Sequence, residues 1–137
     1  MSSPRILGIG TANPPQRYSQ REIYDYAAKH VETYRNPRIE QIFMTSDIEF
    51  RHFAFDLATL DPNETADDMH ARFAEHSVKI STQAVQRCLD DAEMTAKDID
   101  YIVAVSCTGY LCPGLSALII KEMSMRTNVQ RADLVGM

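Results

Sequence analysis

Residues 100–137 constrain the fold of this 137-residue chain more than any other segment. The apolar run Tyr101–Ser106 predicts a buried strand, and a loop of small residues with two cysteines follows it. Pro113 then opens a predicted helix that runs through Met123, because a proline at the first helical position costs no hydrogen bond. The tail from Arg131 predicts a second buried strand. This order indicates a right-handed crossover in a mostly parallel sheet, and therefore an α/β fold.

Upstream patterns predict further strands and helices. The short apolar run Arg5–Gly10, closed by two prolines, predicts a first buried strand that ends in a turn. Periodicity and capping predict four more elements: a helix from the capping-box pattern Ser19–Glu22 to about His30, helical turns over 38–44, an alternating strand over 48–55, and the longest helix over 66–92.

Composition argues against several classes of protein. Acidic residues outnumber basic ones by 19 to 14, for a net charge of −5, whereas a dedicated nucleic-acid binder normally has a basic face. No apolar run approaches the roughly 18 residues of a membrane span, and the start lacks the features of a secretory signal, so we expect a cytoplasmic protein. Three scattered cysteines predict neither a disulfide framework nor a zinc site, and we expect no metal.

The two cysteines of the loop are candidate site residues. Cys107 follows the predicted strand, and in parallel sheets chemistry gathers beyond the carboxyl ends of strands. It is either a pocket-lining or reactive thiol, or a small buried hydrophobe, as free cysteines often are. Cys112 stands just before the predicted helix start, where a thiol pKa falls, but a plain packing role fits its apolar neighbours equally well.

Two other short motifs carry weaker signals. Arg51 and His52 form a small basic pair. They could bind a phosphate, or they could simply be part of a solvated strand edge. The pair Gly8 and Gly10 after an apolar run is not a dinucleotide fingerprint, because the third glycine is absent and no helix opens there.

Four segments together resemble a known family. Ile6–Pro15 resembles the opening of the type III polyketide synthases, the chalcone-synthase-like enzymes, and Ser46–Phe55 resembles a segment that follows their first helices. Ser106–Leu115 is similar to their loop lining the starter-binding pocket. Asn128–Met137 resembles the stretch that leads into their nucleophile motif. The resemblance covers essentially the whole chain, in order.

The resemblance implies a thiolase-like, layered αβαβα fold, of which residues 1–137 would be the amino-terminal part of one domain. It also implies a homodimeric acyltransferase that extends an acyl-CoA starter with malonyl-CoA through a cysteine thioester and then cyclises the product. These CoA thioesters are substrates, and no further cofactor, nucleic acid or membrane partner is implied.

Residue by residue, the resemblance places Cys107 and Thr108 in the wall of the starter pocket. It places Cys112 at the dimer interface, facing the neighbour's cavity, and Arg51 near the CoA-binding segment. The nucleophilic cysteine and the catalytic histidine and asparagine would lie beyond Met137. We therefore expect no catalytic residue in this chain, which would need the carboxy-terminal part of the enzyme to be active.

Two alternatives remain open at this point. The first is a β-ketoacyl synthase III-like condensing enzyme, which dependence on a carrier protein would distinguish. The second is a non-catalytic fragment that serves as a dimerisation or scaffold half, for which an intact mass near 15.5 kDa alone would speak. Because a strand at a terminus leaves groups without partners, we also expect Gly136 and Met137 to be buried against another segment that begins at the nucleophile.

Overall fold

A computed structural model of the chain describes residues 3–136. It mixes helices and strands, which confirms the α/β class. The elements are, in chain order, β1 (Gln16–Ser19), α1 (Gln20–His30), α2 (Pro37–Thr45), β2 (Phe50–Phe53), α3 (Ala66–Asp91), β3 (Tyr101–Ser106), α4 (Leu115–Glu122) and β4 (Gln130–Val135), with single 3₁₀ turns at Glu32–Arg35 and Ala96–Asp98. They form two compact units: residues 13–66, and the residues up to Ala12 together with those from Asp67 onward.

The unit of residues 13–66 is built on an antiparallel strand pair. β1 pairs with β2, with Gln16 opposite Phe53 and Ser19 opposite Phe50. The prediction of a strand over 48–55 is confirmed in a shorter form, whereas β1 was not predicted. Its four residues are mostly polar and show no alternation, so only the pairing with β2 makes them a strand.

Helix α1 begins where the capping box predicts. The Ser19 hydroxyl accepts a hydrogen bond from the Glu22 amide at 3.2 Å, and the Glu22 carboxylate accepts one from the Ser19 amide at 2.7 Å. Both bonds satisfy amides that the first helical turn leaves unpaired. The buried Gln20 then ties the helix to its unit, since its side-chain amide donates to the Ser46 hydroxyl at 2.9 Å.

The second unit holds the predicted parallel pair. β3 and β4 are parallel neighbours, in register from Tyr101 opposite Gln130 to Ser106 opposite Val135, and α4 is the crossover between them. This prediction is confirmed. The start of the helix is not where we expected it, because Gly114 is the N-cap and Pro113 precedes it.

Both strands of this pair were predicted to be buried, and that prediction is wrong for one face of the sheet. Along β3, Tyr101, Val103 and Val105 are 49–70% exposed, while the alternate residues are half-buried. A strand covered by a helix on one side only keeps its other apolar face in solvent. Gly136, expected to be buried, is exposed, and Met137 lies outside the described residues.

The predicted strand at Arg5–Gly10 is also absent from the structure. This segment makes no strand pairing within residues 3–136 and instead runs beside the end of α3. The Ile9 amide donates to the Asp91 carboxylate at 3.0 Å, and the Arg87 guanidinium donates to the Thr11 carbonyl at 2.6 Å. An apolar run becomes a strand only where a neighbouring strand accepts its hydrogen bonds, and none of the described strands does so.

Glycine is required where this segment meets α3. A Cβ on Gly10 would lie 2.1 Å from the Ala84 carbonyl oxygen and 2.3 Å from the Cys88 amide nitrogen. Both atoms belong to helix backbone and cannot move aside.

None of the helices described over residues 3–136 is long and apolar enough to cross a membrane.

We predict that Gly10→Ala detaches residues 5–11 from α3, because the methyl group cannot fit against the helix backbone. The Ile9 amide should then exchange its hydrogen at least about tenfold faster, as expected when a bond to a charged acceptor is lost. Hydrogen exchange followed by mass spectrometry measures this. Thr11→Ala is the matched control, because Thr11 accepts the Arg87 hydrogen bond through its backbone carbonyl, which the substitution keeps. Unchanged protection in Gly10→Ala would contradict the prediction.

Candidate functional site

Three of the predicted site residues lie in one loop, which joins the end of β3 to the start of α4. Cys107, Thr108 and Cys112 are all exposed. The Cys107 sulfur lies 3.9 Å from the Thr108 hydroxyl oxygen, and the Thr108 amide donates to the Ser106 hydroxyl at 3.3 Å. The bond between Cys112 and Pro113 is cis. Within the described residues neither cysteine is buried, and the predicted roles of Cys107 and Cys112 stay predictions.

The loop is held at both ends, by a residue of the neighbouring strand β4 and by the residue that follows this strand. At its start, the Gly136 amide donates to the carbonyl of Ser106 at 3.1 Å. At its end, the Asp133 carboxylate accepts from the Ser116 amide at 2.9 Å and from the Ser116 hydroxyl at 2.5 Å. The parallel pairing of β3 with β4 therefore sets where the loop begins and where it ends.

Asp133 performs the capping that Gly114 cannot. The first amides of a helix lack partners within the helix, and an N-cap side chain normally accepts from one of them. Gly114 has no side chain, and Ser116 is completely buried, so water does not reach its amide. A carboxylate at a helix start is also favoured by the helix dipole. Asp133, which lies in β4, supplies both the missing acceptor and the negative charge.

The charge of Asp133 is stabilised in place. Burial raises the pKa of the Asp133 carboxyl. Hydrogen bonds from Ser116 and from the Arg131 guanidinium lower it by more, so the net pKa is lowered. The Arg131 Nη1 atom lies 3.3 Å from the carboxylate oxygen. The side chain is 18% exposed. At neutral pH Asp133 is therefore an ionised acceptor beneath the loop.

A small cavity of about 20 Å³ lies between the loop and the strands. That volume corresponds to about one water molecule. Residues of the loop, both strands, α3 and the start of α4 line it: Phe73, Ala104, Ser106, Gly109, Tyr110, Leu111, Gly114, Leu115, Asp133 and Val135. A Cβ on Gly109 would lie 2.4 Å from the Phe73 ring, and one on Gly114 would lie 2.4 Å from the Asp133 carboxylate. The loop therefore sits directly on its support.

The fourth predicted site residue, Arg51, lies in the other unit. It is exposed on β2, and its Nε donates to the side-chain carbonyl of Gln20 at 2.9 Å. The neighbouring His52 hydrogen-bonds the Pro14 carbonyl through Nδ1 at 3.0 Å. Because a carbonyl only accepts, this nitrogen carries the proton. The buried Gln20 thus orients the Arg51 side chain, and its predicted role toward CoA stays a prediction.

Sequence reasoning missed Asp133 and Ser116. The available signal was a charged residue within an apolar strand pattern, since a buried carboxylate needs partners. The partner, 17 residues away, is supplied by the crossover helix.

Among residues 3–136, no group of three or more histidine, cysteine, aspartate or glutamate side chains is placed to hold a metal ion.

Known proteins are similar to this chain in sequence and in fold. The chain is 33% identical to the 3,5-dihydroxyphenylacetyl-CoA synthase of Amycolatopsis balhimycina, over 97% of this chain and 35% of that protein. It is 26% identical to the 1,3,6,8-tetrahydroxynaphthalene synthase of Streptomyces peucetius, over 96% of this chain and 36% of the relative. No protein-family profile matches the chain.

Solved structures agree with these relatives. The type III polyketide synthase domain of Steely1 from Dictyostelium superposes with a TM-score of 0.82 at 27% identity, over 96% of this chain and 39% of that one. PKS-I from the brown alga Ectocarpus siliculosus gives 0.80 at 28% identity with the same coverages. The chain is similar in sequence and in fold to one segment of type III polyketide synthases. It spans about a third of the length of the curated relatives it matches and contains the corresponding part of their thiolase-like fold.

We predict that the Asp133 carboxyl titrates below the ordinary aspartate pKa of about 3.9. A depressed folded-state pKa stabilises the fold above the unfolded pKa, and that stabilisation disappears as the pH falls through the folded value. Ser116→Ala removes the hydroxyl donor, so the pKa of Asp133 should rise toward its ordinary value.

Carbon-detected NMR titration of the carboxyl, with urea unfolding at each pH, measures both effects. Glu22, Asp56 and Asp98 also have lowered pKa values and serve as internal references that Ser116→Ala should leave unchanged. An Asp133 pKa at or above the ordinary value in the unmodified chain would contradict the assigned network.

Proposed function

We propose that this chain is the amino-terminal segment of an enzyme that condenses malonyl-CoA onto an acyl-CoA starter, with loss of carbon dioxide, and then cyclises the product. Its relationship to type III polyketide synthases over 97% of its length carries this proposal. Within the segment, Cys107, Thr108 and Cys112 form part of the starter-pocket wall, and Arg51 contacts CoA.

The chemistry itself needs residues that this chain does not supply. A cysteine thiolate beside an imidazole would take the acyl group as a thioester, and fixed donors would stabilise the enolate and the tetrahedral oxyanion. We assign that cysteine, the histidine and an asparagine to polypeptide beyond Met137. No cofactor beyond the CoA thioester substrates is required by this reaction.

The loop described above is suited to a pocket wall. Its exposed side chains include two thiols, a hydroxyl and the Tyr110 phenol, and no acidic or basic residue lies between Cys107 and Gly114. Its two ends are tied to β4, and a substrate wall must be held in place if the reacting atoms are to meet in the right geometry. In a homodimer, Cys112 would face the partner's cavity.

The exposed sheet face supports assembly with further polypeptide. Tyr101, Val103, Val105 and, across the register, Leu134 form an apolar face that is about half exposed or more. Large exposed apolar faces usually mark contact surfaces. We assign this face to the remaining part of the enzyme. One curated relative is named a polyketide synthase-like protein, and a solved structure of similar fold is titled a type III polyketide synthase domain, which favours this function over a β-ketoacyl synthase III-like alternative.

A chimera tests the proposed function. This chain replaces the matched third of the Amycolatopsis balhimycina synthase, and the product is assayed for CoA release from malonyl-CoA, alone and with acyl-CoA starters of increasing length. We expect malonyl-CoA-dependent turnover with no carrier protein, and none from this chain alone. A chimera with the elution volume and circular dichroism of its active parent, yet without turnover, would refute the proposal.

In the chimera, Cys112→Phe should shift turnover toward smaller starters or shorter products, because the added ring fills the pocket. Overpacking costs about 1–3 kcal/mol, so the protein should stay folded and dimeric. Cys107→Ala should retain malonyl-CoA decarboxylation. Product mass against starter length is the measurement, and Cys88→Ser on α3 is the cysteine control. An unchanged product profile with Cys112→Phe, or complete loss of decarboxylation in folded Cys107→Ala, would contradict the assigned roles.

A further inference from the structure

One carboxylate gathers the contacts that end the loop. Asp133 Oδ1 accepts from the Ser116 amide, and Oδ2 accepts from the Ser116 hydroxyl and from Arg131. Arg131 also reaches the Ser116 hydroxyl oxygen, at 3.3 Å. The three side chains therefore form a closed network between β4 and the first turn of α4.

From this network we propose that Asp133 is a positioning residue for the pocket loop: it fixes the end of the loop next to Cys112, while Gly136 fixes the start next to Cys107 and Thr108. The consequence for starter selection rests on the proposed function. The positioning itself concerns only residues of this chain.

The geometry leaves little else to hold the loop's end. Gly114 contributes no side chain, and a Cβ there would already lie 2.4 Å from the carboxylate, so the loop backbone sits directly on Asp133. Because Ser116 is completely buried, its amide and hydroxyl have no water to replace the carboxylate. Loss of Asp133 would therefore free the end of the loop, while Gly136 would still hold its start.

The same strand connects the loop to the chemistry. β4 leads toward the chain's carboxyl end, beyond which the proposed nucleophile lies. One anchor of the loop, Asp133, lies in β4, and the other, Gly136, follows it directly. A shift of the loop relative to this strand would change the distance between the pocket wall and the reacting cysteine. Asp133 would thus act on starter selection without touching substrate.

Hydrogen exchange of the whole 137-residue chain tests the positioning. Asp133→Ala should speed exchange of peptides covering 107–117 by at least about tenfold, as expected for loss of hydrogen bonds to a charged group. Asp133→Asn, which keeps one acceptor oxygen, should have a smaller effect. Peptides of α3 around the buried Leu89 should exchange as before. Glu122→Ala, which removes a carboxylate at the other end of α4, is the matched control.

Loop exchange that is unchanged in Asp133→Ala, or no greater than in Glu122→Ala, would overturn the proposal. If α3 peptides also accelerate in Asp133→Ala, the milder Ser116→Ala decides. Faster exchange confined to residues 107–117 in that variant supports positioning, and uniform acceleration overturns it.

Turnover of the chimera with different starters is a second measurement. A residue with only a structural role would not change the ratio between starters. Asp133→Ala should change the ratio of turnover between short and long starters, and Asp133→Asn should restore part of it. A proportional fall for all starters would overturn the effect on selection. An inactive unsubstituted chimera would count against the proposed function alone, because the exchange experiment decides the positioning independently.

Discussion

The candidate site depends on the hydrogen bonds that the ionised Asp133 carboxylate accepts from the first turn of α4. A helix start buried against a sheet needs an acceptor for its amides, and the N-cap glycine of α4 has none to offer. The strand beside it supplies the acceptor, with Arg131 as counter-charge. The loop with its two cysteines thereby receives a fixed end, and the Gly136 amide fixes its start.

The support beneath the loop explains why small residues recur there. Gly109 lies against the Phe73 ring and Gly114 against the Asp133 carboxylate, so neither position has room for a side chain. The cavity that remains has room for about one water molecule. The exposed thiols and hydroxyl therefore stand on a closely packed base, as the wall of a substrate pocket requires. The sheet's other face is apolar and open, which fits a segment that spans a third of its relatives' length.

Much of the fold followed from local patterns. The parallel pair β3 and β4, the crossover helix, the capping-box start of α1 and the long α3 were all predicted, because periodicity and caps act over a few residues. The segment Arg5–Gly10 was predicted wrongly, since an apolar run alone does not reveal whether a strand partner exists. β1 was missed for the converse reason, because its partner β2 lies more than 30 residues away.

The order of elements, the family resemblance and the loop that carries Cys107, Thr108 and Cys112 can all be read from the residue order, because they depend on which residues follow one another. Three features came from the folded chain alone: Asp133 caps α4, Gly10 and Gly109 pack against α3, and one face of the sheet is exposed. Each of these depends on contacts between residues far apart in the chain. Hydrogen bonds and steric fit at such contacts are set by the packing of whole elements, which local sequence patterns do not encode.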